Sequence, residues 1–71
     1  MEYFVYRIKP EHEVDWDTAI AEGLCEIVAV IDAEDIDKAI EIAQVNGYDV
    51  EDAYGITDHE QFAYANEAVN L

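Results

Sequence analysis

The sequence predicts a single α+β domain, residues 1–71, in which a small two- or three-stranded, mainly antiparallel sheet is packed with two to three helices. Three observations favour this class. Two short runs are rich in β-branched and aromatic residues, an apolar repeat with helical spacing follows the second run, and sparse Gly and Pro residues separate the segments. The predicted order of elements is β-α-β-α-β-α, and a chain of this length forms one domain with a modest core.

Two strands are predicted with the clearest patterns. The first covers residues 2–8 and is ended by Pro10. Its alternation places two sets of side chains on opposite faces: Phe4, Tyr6 and Ile8, and Tyr3, Val5 and Arg7. The second strand covers residues 25–31, with Ile27, Ala29 and Ile31 expected on one face. Because its other face is also apolar, this strand is expected to be central or covered.

The most regular helix is predicted over residues 33–46. Asp32 is expected to cap its N-terminus, with Asp35 three residues later in a capping-box-like pairing. Apolar residues then recur at i, i+3, i+4 and i+7, namely Ile36, Ala39, Ile40 and Ala43. Gly47 is expected to end the helix.

Two weaker helices and a short strand complete the prediction. Residues 16–22 form a helix that ends at Gly23, where Leu24 can make the hydrophobic contact of a Schellman motif. Residues 50–56 are a candidate third strand, which Gly55 weakens. The run Thr57-Asp58-His59-Glu60 matches a capping box and predicts a helix to about residue 69. The buried stripe of that helix is expected to consist of Phe62, Ala65 and Val69.

The charge is extreme for this length, because 18 Asp and Glu oppose 3 Lys and Arg, a formal net charge of −15. Such a protein is not expected to bind DNA, RNA or anionic membranes directly, since these partners are also negative. High net charge is also a mark of disorder. However, Leu, Ile, Val and Phe number 19 of 71 residues, which exceeds the roughly 20% level typical of unfolded chains. The apolar residues are also patterned, so a folded domain is predicted.

The single cysteine and the hydropathy indicate a cytoplasmic setting. Cys25 lies in an apolar run and is expected to be an inert buried thiol, and one cysteine cannot form an intramolecular disulfide. No apolar run approaches the roughly 18 residues of a membrane span, and the N-terminal residues lack the positive region of a signal peptide. We therefore expect a reducing cytoplasm.

Motifs for catalysis are missing, so neither catalytic residues nor a cofactor are predicted. The sequence has no Gly-rich phosphate loop, no serine, and no marked pairing of Cys25 with His12 or His59. Carboxylates at every second position of residues 11–17 could supply oxygen ligands to a hard cation. The spacing of a calcium-binding loop is not met, so a solvated acidic loop without metal is the preferred interpretation.

The acidic residues are the main functional signal. All three basic residues, Arg7, Lys9 and Lys38, precede residue 39, and the carboxylates form clusters. Ten of them are the candidate partner-binding residues: Glu11, Glu13, Asp15, Asp17, Asp35, Asp37, Glu41, Asp49, Glu51 and Asp52. An aromatic anchor for the interface could come from Tyr3 or Tyr48, although core packing is the simpler interpretation of both.

Three interpretations of this acidity remain open. The first is mimicry of nucleic acid, in which carboxylates ~5–6 Å apart on a helix occupy a basic groove that is shaped for phosphates. The second is an acidic protein-interaction module without such mimicry, for example an antitoxin, a nuclease inhibitor or a scaffold factor. The third is a housekeeping domain of a halophile, which the low Lys count fits and the eight isoleucines do not. Pairing of two copies through a sheet edge is also possible.

Two segments resemble known proteins. Residues 30–43, VIDAEDIDKAIEIA, resemble a strand-to-helix turn that is common in small phage proteins. Residues 52–65, DAYGITDHEQFAYA, are similar to segments of phage and plasmid anti-restriction and anti-CRISPR DNA mimics. This resemblance implies an inhibitor that presents an acidic surface to the basic nucleic-acid-binding site of a host defence complex, such as a CRISPR effector or a restriction enzyme.

Overall fold

The computed structural model describes all 71 residues and shows an α+β fold with a four-stranded mixed sheet and two helices. The elements in chain order are β1 (Glu2–Ile8), α1 (Trp16–Glu22), β2 (Cys25–Asp32), α2 (Ile36–Val45), β3 (Gly55–Thr57) and β4 (Ala63–Asn70). The predicted fold class and number of helices are therefore confirmed. The number of strands and the order of elements differ, because the last element is a strand.

The sheet has the strand order β3-β1-β2-β4. Strand β1 is antiparallel to both β2 and β3, whereas β2 and β4 are parallel. The central position of β2 explains why its sequence is apolar on both faces, since each face is covered. The two outer strands both come from the last third of the chain.

A β-bulge in β2 changes which side chains share a face. Val5 pairs with Ala29 and Tyr6 pairs with Ile27, so Val28 is the extra residue. Ile27 consequently lies on the face of Tyr6, whereas Ala29 lies on the face of Val5. The prediction that Ile27, Ala29 and Ile31 share one face was therefore wrong, because strict alternation does not hold across a bulge.

Helix α2 covers one face of the sheet. The buried side chains Tyr3, Val5, Ala29 and Ile31 of the central strands pack with Ala39 and Ala43 of the helix, in a cluster that also contains Val28 and Ala65. Ala39 and Ala43 are fully buried, and such small side chains let the helix lie close to the strands. This face therefore contains the larger part of the core.

Helix α1 and the segment that joins β3 to β4 contribute to the opposite face. Four buried residues lie outside the α2 cluster: Phe4, Ala19, Cys25 and Ile27. The Tyr6 ring lies 5.9 Å from Trp16 of α1 and 4.9 Å from Phe62, measured between ring centroids. Tyr6 also covers Gly55 in β3, where the Cβ atom of any larger residue would collide with the Tyr6 ring. A larger residue at position 55 would therefore require the Tyr6 ring to move.

Both helices begin at an aspartate and end at a glycine. Asp35 caps α2, accepting a hydrogen bond from the backbone N–H of Lys38 at 2.9 Å. Asp32, the predicted cap, instead belongs to β2 and pairs with Glu2, so the helix begins three residues later than predicted. Asp15 caps α1 in the same way, with the N–H of Thr18 at 2.8 Å.

The predicted helix ends are confirmed. Gly23 and Gly47 have positive φ angles of 67° and 91°. The N–H of Leu24 donates to the carbonyl of Ala19 at 2.8 Å, and the N–H of Tyr48 donates to the carbonyl of Ala43 at 2.9 Å. These bonds, which span five residues at the helix end, are those of the Schellman motif.

The predicted C-terminal helix was wrong. Residues 63–70 form β4, which pairs with β2 through Glu26–Ala63, Ile27–Tyr64 and Ala29–Val69. Between Tyr64 and Val69 the register shifts, so β4 contains extra residues relative to β2. Thr57 does not cap a helix, because it lies in β3 opposite Phe4. The third strand itself is present but shorter and later than predicted, over Gly55–Thr57.

Candidate functional site

All ten predicted partner-binding carboxylates are exposed. Only Glu41 has a cation nearby, with the Lys38 ammonium 3.7 Å from its carboxylate. Because exposed ion pairs are weak and screened by salt, this contact neutralises little. The negative charge of these clusters is thus available to a partner.

The structure places two of the three predicted clusters on consecutive segments, helix α2 and the turn that follows it. The carboxylates of α2 are exposed, on the side of the helix away from its buried alanines. An open hollow at the C-terminal end of α2 is lined by Gln44 of the helix and by Gly47, Tyr48, Asp49 and Glu51 of the turn. We call this region the α2 surface, and its carboxylates are those of Asp35, Asp37, Glu41, Asp49, Glu51 and Asp52.

The turn in the α2 surface is ordered by its own aspartate. The side chain of Asp49 accepts a hydrogen bond from the N–H of Glu51 at 3.2 Å, and its carbonyl accepts from the N–H groups of Ala53 and Tyr54. The Tyr54 ring meets Tyr48 edge to face, with 5.2 Å between centroids. The carboxylates of residues 49–52 are therefore held on a defined turn.

The third cluster, residues 11–17, is separate. It leads into α1, whose Trp16 contacts the sheet face opposite to α2. Within it, Asp15 has a structural role as the cap of α1. The hydrogen bonds from Thr18 lower the pKa of the Asp15 carboxyl below its ordinary value. The sequence predicted all ten carboxylates as one set of partner-binding residues. In the fold, the cluster of residues 11–17 leads into the helix on one side of the sheet, whereas α2 and its carboxylates lie on the other side.

Arg7, the only arginine, pairs with carboxylates that do not belong to the α2 surface. Arg7 of β1 binds Glu26 of β2 at 2.8 Å and Glu67 of β4 at 3.0 Å. The hydrogen bond to Glu26 is the main cause that raises the pKa of Arg7. This cluster therefore crosses three strands, and one positive charge is shared between the carboxylates of Glu26 and Glu67.

The structure distinguishes the two candidate aromatic anchors. Tyr3 is 5% exposed and belongs to the core, so it cannot anchor a partner without unfolding. Tyr48 is half-buried beside the hollow of the α2 surface. Val45, which is 81% exposed on α2, was not among the predicted binding residues. The available signal was its position four residues after Glu41, on the outward side of the helical repeat.

The remaining reactive side chains have structural surroundings. Cys25 is 1% exposed, and burial raises the pKa of its thiol, which keeps the group neutral and unreactive. The exposed His59 ring contacts the side chains of Asp58 and Gln61, and the bond to Asp58 is the first cause that raises its pKa. No group of three or more His, Cys, Asp or Glu side chains is arranged to hold a metal ion.

Comparison with known proteins gives no relative for this chain. No protein-family model matches it, and neither a curated protein nor a solved structure shows significant similarity. None of its helices has the length and apolar character needed to cross a membrane.

Proposed function

We propose that this domain inhibits a host defence complex, such as a CRISPR effector or a restriction enzyme, by occupying its basic nucleic-acid-binding site with the α2 surface. The observation that carries the proposal is the exposed and largely uncompensated charge of this surface. Five of its six carboxylates have no cation within ion-pair distance, and the sixth, Glu41, has a weak contact with Lys38.

The spacing of the carboxylates supports the proposal. Asp37 and Glu41 are four residues apart on α2, a separation of ~5–6 Å between side-chain bases on one helix face. A phosphate backbone offers a comparable row of negative groups, with one phosphate per ~3.4 Å of axis on each strand. A basic groove that is complementary to phosphates can therefore accept this row, and the long-range field accelerates the encounter.

A displacement assay tests the proposal. Labelled DNA is bound to a purified restriction enzyme or CRISPR effector, and the domain is titrated in while fluorescence anisotropy is recorded. We expect the wild-type domain to displace the DNA. The double variant Asp37→Lys/Glu41→Lys should do so at least ~10-fold less well, because its two new lysines are repelled by the basic groove.

The matched control is Glu11→Lys/Glu13→Lys, which changes the net charge by the same amount in the separate cluster. We expect this control to displace DNA nearly as well as the wild type. Equal loss in both double variants would show that only net charge matters. Failure of the wild-type domain to displace DNA from any complex of either class would contradict the proposal.

A second function is favoured by Val45. An exposed apolar side chain beside carboxylates is typical of a protein interface, whereas a phosphate backbone has no equivalent group. An acidic protein-interaction module without mimicry would bind its basic partner through Val45 as well as through charge. Such a partner would stay bound in excess DNA, and the change Val45→Asp would release it.

A further inference from the structure

We infer that the outer edge of β4 is an interface for a second copy of this chain, which adds its own β4 antiparallel to the first across a two-fold axis. The two four-stranded sheets then form one continuous sheet. This inference does not depend on the proposed function, because β4 is not part of the α2 surface.

The edge of β4 that faces away from β2 is open for backbone hydrogen bonding. Strand β4 is hydrogen-bonded on one side only, to β2, and it is eight residues long. The other edge of the sheet is β3, which has three residues and offers little backbone for pairing. An unpaired edge strand presents a row of N–H and C=O groups that pair readily with another extended strand.

Local charge is lower along β4 than in the acidic clusters. Residues 61–71 contain one acidic residue, Glu67, and its carboxylate binds Arg7 at 3.0 Å. The Tyr64 hydroxyl donates to the carboxylate of Glu60, which lies just before the strand. Two copies that approach through the α2 surface or through residues 11–17 would place clusters of carboxylates against each other. Approach through β4 reduces this repulsion, because each copy brings fewer carboxylates to the contact.

Strand β4 also exposes apolar side chains on both of its faces. Tyr64 pairs with Ile27 and Val69 pairs with Ala29, and the two side chains are 47% and 42% exposed, while Leu71 is 39% exposed. Burial of such side chains stabilises an interface in proportion to the apolar area removed from water. A second copy is the occupant that fits an extended edge with few charges and exposed apolar side chains, since a two-fold contact brings two identical strands together.

The devices that usually protect an edge strand are few in β4. It contains no proline and no lysine, and its one irregularity lies between Tyr64 and Val69.

Sedimentation equilibrium measures the association directly. We expect a mass of twice 8.1 kDa at high protein concentration, and a larger dimer fraction at roughly 0.5 M NaCl than at roughly 0.05 M NaCl, because salt screens the repulsion between two negative copies. Binding of the α2 surface to a basic partner has the opposite dependence on salt. Failure of one proposal is thereby distinguished from failure of the other.

The variant Val69→Lys tests the location of the interface. It should raise the dissociation constant of the dimer at least about tenfold. Each of the two copies then places one lysine in the contact, so the unfavourable substitution is present twice. The matched control is Val45→Lys, the same substitution at an exposed site on α2, which should dimerise at least as well as the wild type because it lowers the net negative charge. Circular dichroism confirms that both variants are folded.

Amide hydrogen exchange of the unmodified protein gives a second readout. We expect the backbone amides of residues 63–70 to become more protected as the protein concentration rises. A chain that stays monomeric under all these salt conditions, or protection that rises on α2 instead of β4, would overturn the inference. Equal loss of dimer in Val69→Lys and Val45→Lys would also overturn it.

Discussion

Helices α1 and α2 have the same boundary signals but contribute unequally to the core. Each begins at an aspartate that accepts an N–H bond from three residues later, at 2.8 Å for Asp15 and 2.9 Å for Asp35. Each ends at a glycine with positive φ, Gly23 or Gly47. However, α1 has seven residues and one buried side chain, whereas α2 has ten residues and two.

This difference shows that local signals determine where a helix begins and ends, and that contact with the sheet determines how much the helix stabilises. The two buried alanines of α2 belong to the eight-residue core cluster. The opposite face contains the other four buried residues, and there the half-buried ring of Tyr6 contacts the half-buried rings of Trp16 and Phe62. Substitutions on the two sides of the sheet should therefore lower the free energy of unfolding by different amounts.

The largest expected loss of stability comes from substitutions that create a cavity on either face of β2. Ile31 faces α2 and Ile27 faces the α1 side, and both are fully buried. Ile31→Ala should lower the free energy of unfolding by about 2–5 kcal/mol. Ile27→Ala should cost less within that range, because half-exposed aromatic rings can move into the cavity. Urea denaturation of both variants measures the difference, and a larger loss for Ile27→Ala would contradict the comparison.

The β2–α2 unit was predictable from the sequence because local and long-range requirements agree there. A strand that is apolar on both faces fits the central position of Cys25–Asp32, and the apolar repeat of α2 fits the face it covers. The predicted start of the helix, with Asp32 as its cap, was wrong, although Asp32 and Asp35 are both suitable caps. The pairing of Asp32 with Glu2 decides between them, and this pairing is invisible in the local sequence.

The C-terminal strand was not predictable because local preference and tertiary pairing conflict. Residues 63–70, with three alanines and a glutamate, favour a helix by propensity, and Thr57 to Glu60 match a capping box. The open edge of β2 nevertheless provides backbone partners for these residues. Sheet formation depends on such context more than helix formation does.

A smaller effect is expected at the helix caps. Asp35→Ala should lower the free energy of unfolding by about 1 kcal/mol, and Asp15→Ala by less, because α1 has a single buried residue and can fray without unfolding the sheet. The controls are Asp35→Asn and Asp15→Asn, which keep a capping side chain and remove the same charge. If the asparagine variants lose as much stability as the alanine variants, charge and not capping explains the loss.

The smallest expected effect is a pH dependence of the free energy of unfolding that comes from the Asp15 cap. Because its pKa is lowered in the folded state, its hydrogen bonds to Thr18 stabilise the protein above the ordinary pKa of 3.8 and this contribution is lost as pH falls through the folded-state pKa. We expect the stability difference between wild type and Asp15→Asn to shrink below pH ~4. Thermal unfolding across this range checks it. A constant difference would mean that the cap does not titrate.

The exposure of the candidate site was predictable, whereas its arrangement was not. All ten carboxylates lie at the surface, as their charge requires. The grouping of Glu41 with Asp49 depends on the turn after α2, and the separation of Glu11 depends on which sheet face α1 covers. The open edge of β4 was hidden by the expectation of a helix at residues 63–70, which also hid the contact of Arg7 with Glu67.

The position of both outer strands late in the chain has a kinetic consequence. Thr57 pairs with Phe4, and Ala63 pairs with Glu26, so each edge of the β1–β2 pair is completed only after a long loop has closed. A partly folded chain consequently exposes two apolar strands with unpaired edges, the kind of species that aggregates. At −15 charges per chain, such intermediates repel one another strongly. The acidity thus keeps the molecule soluble while it folds, in addition to any role it has once folded.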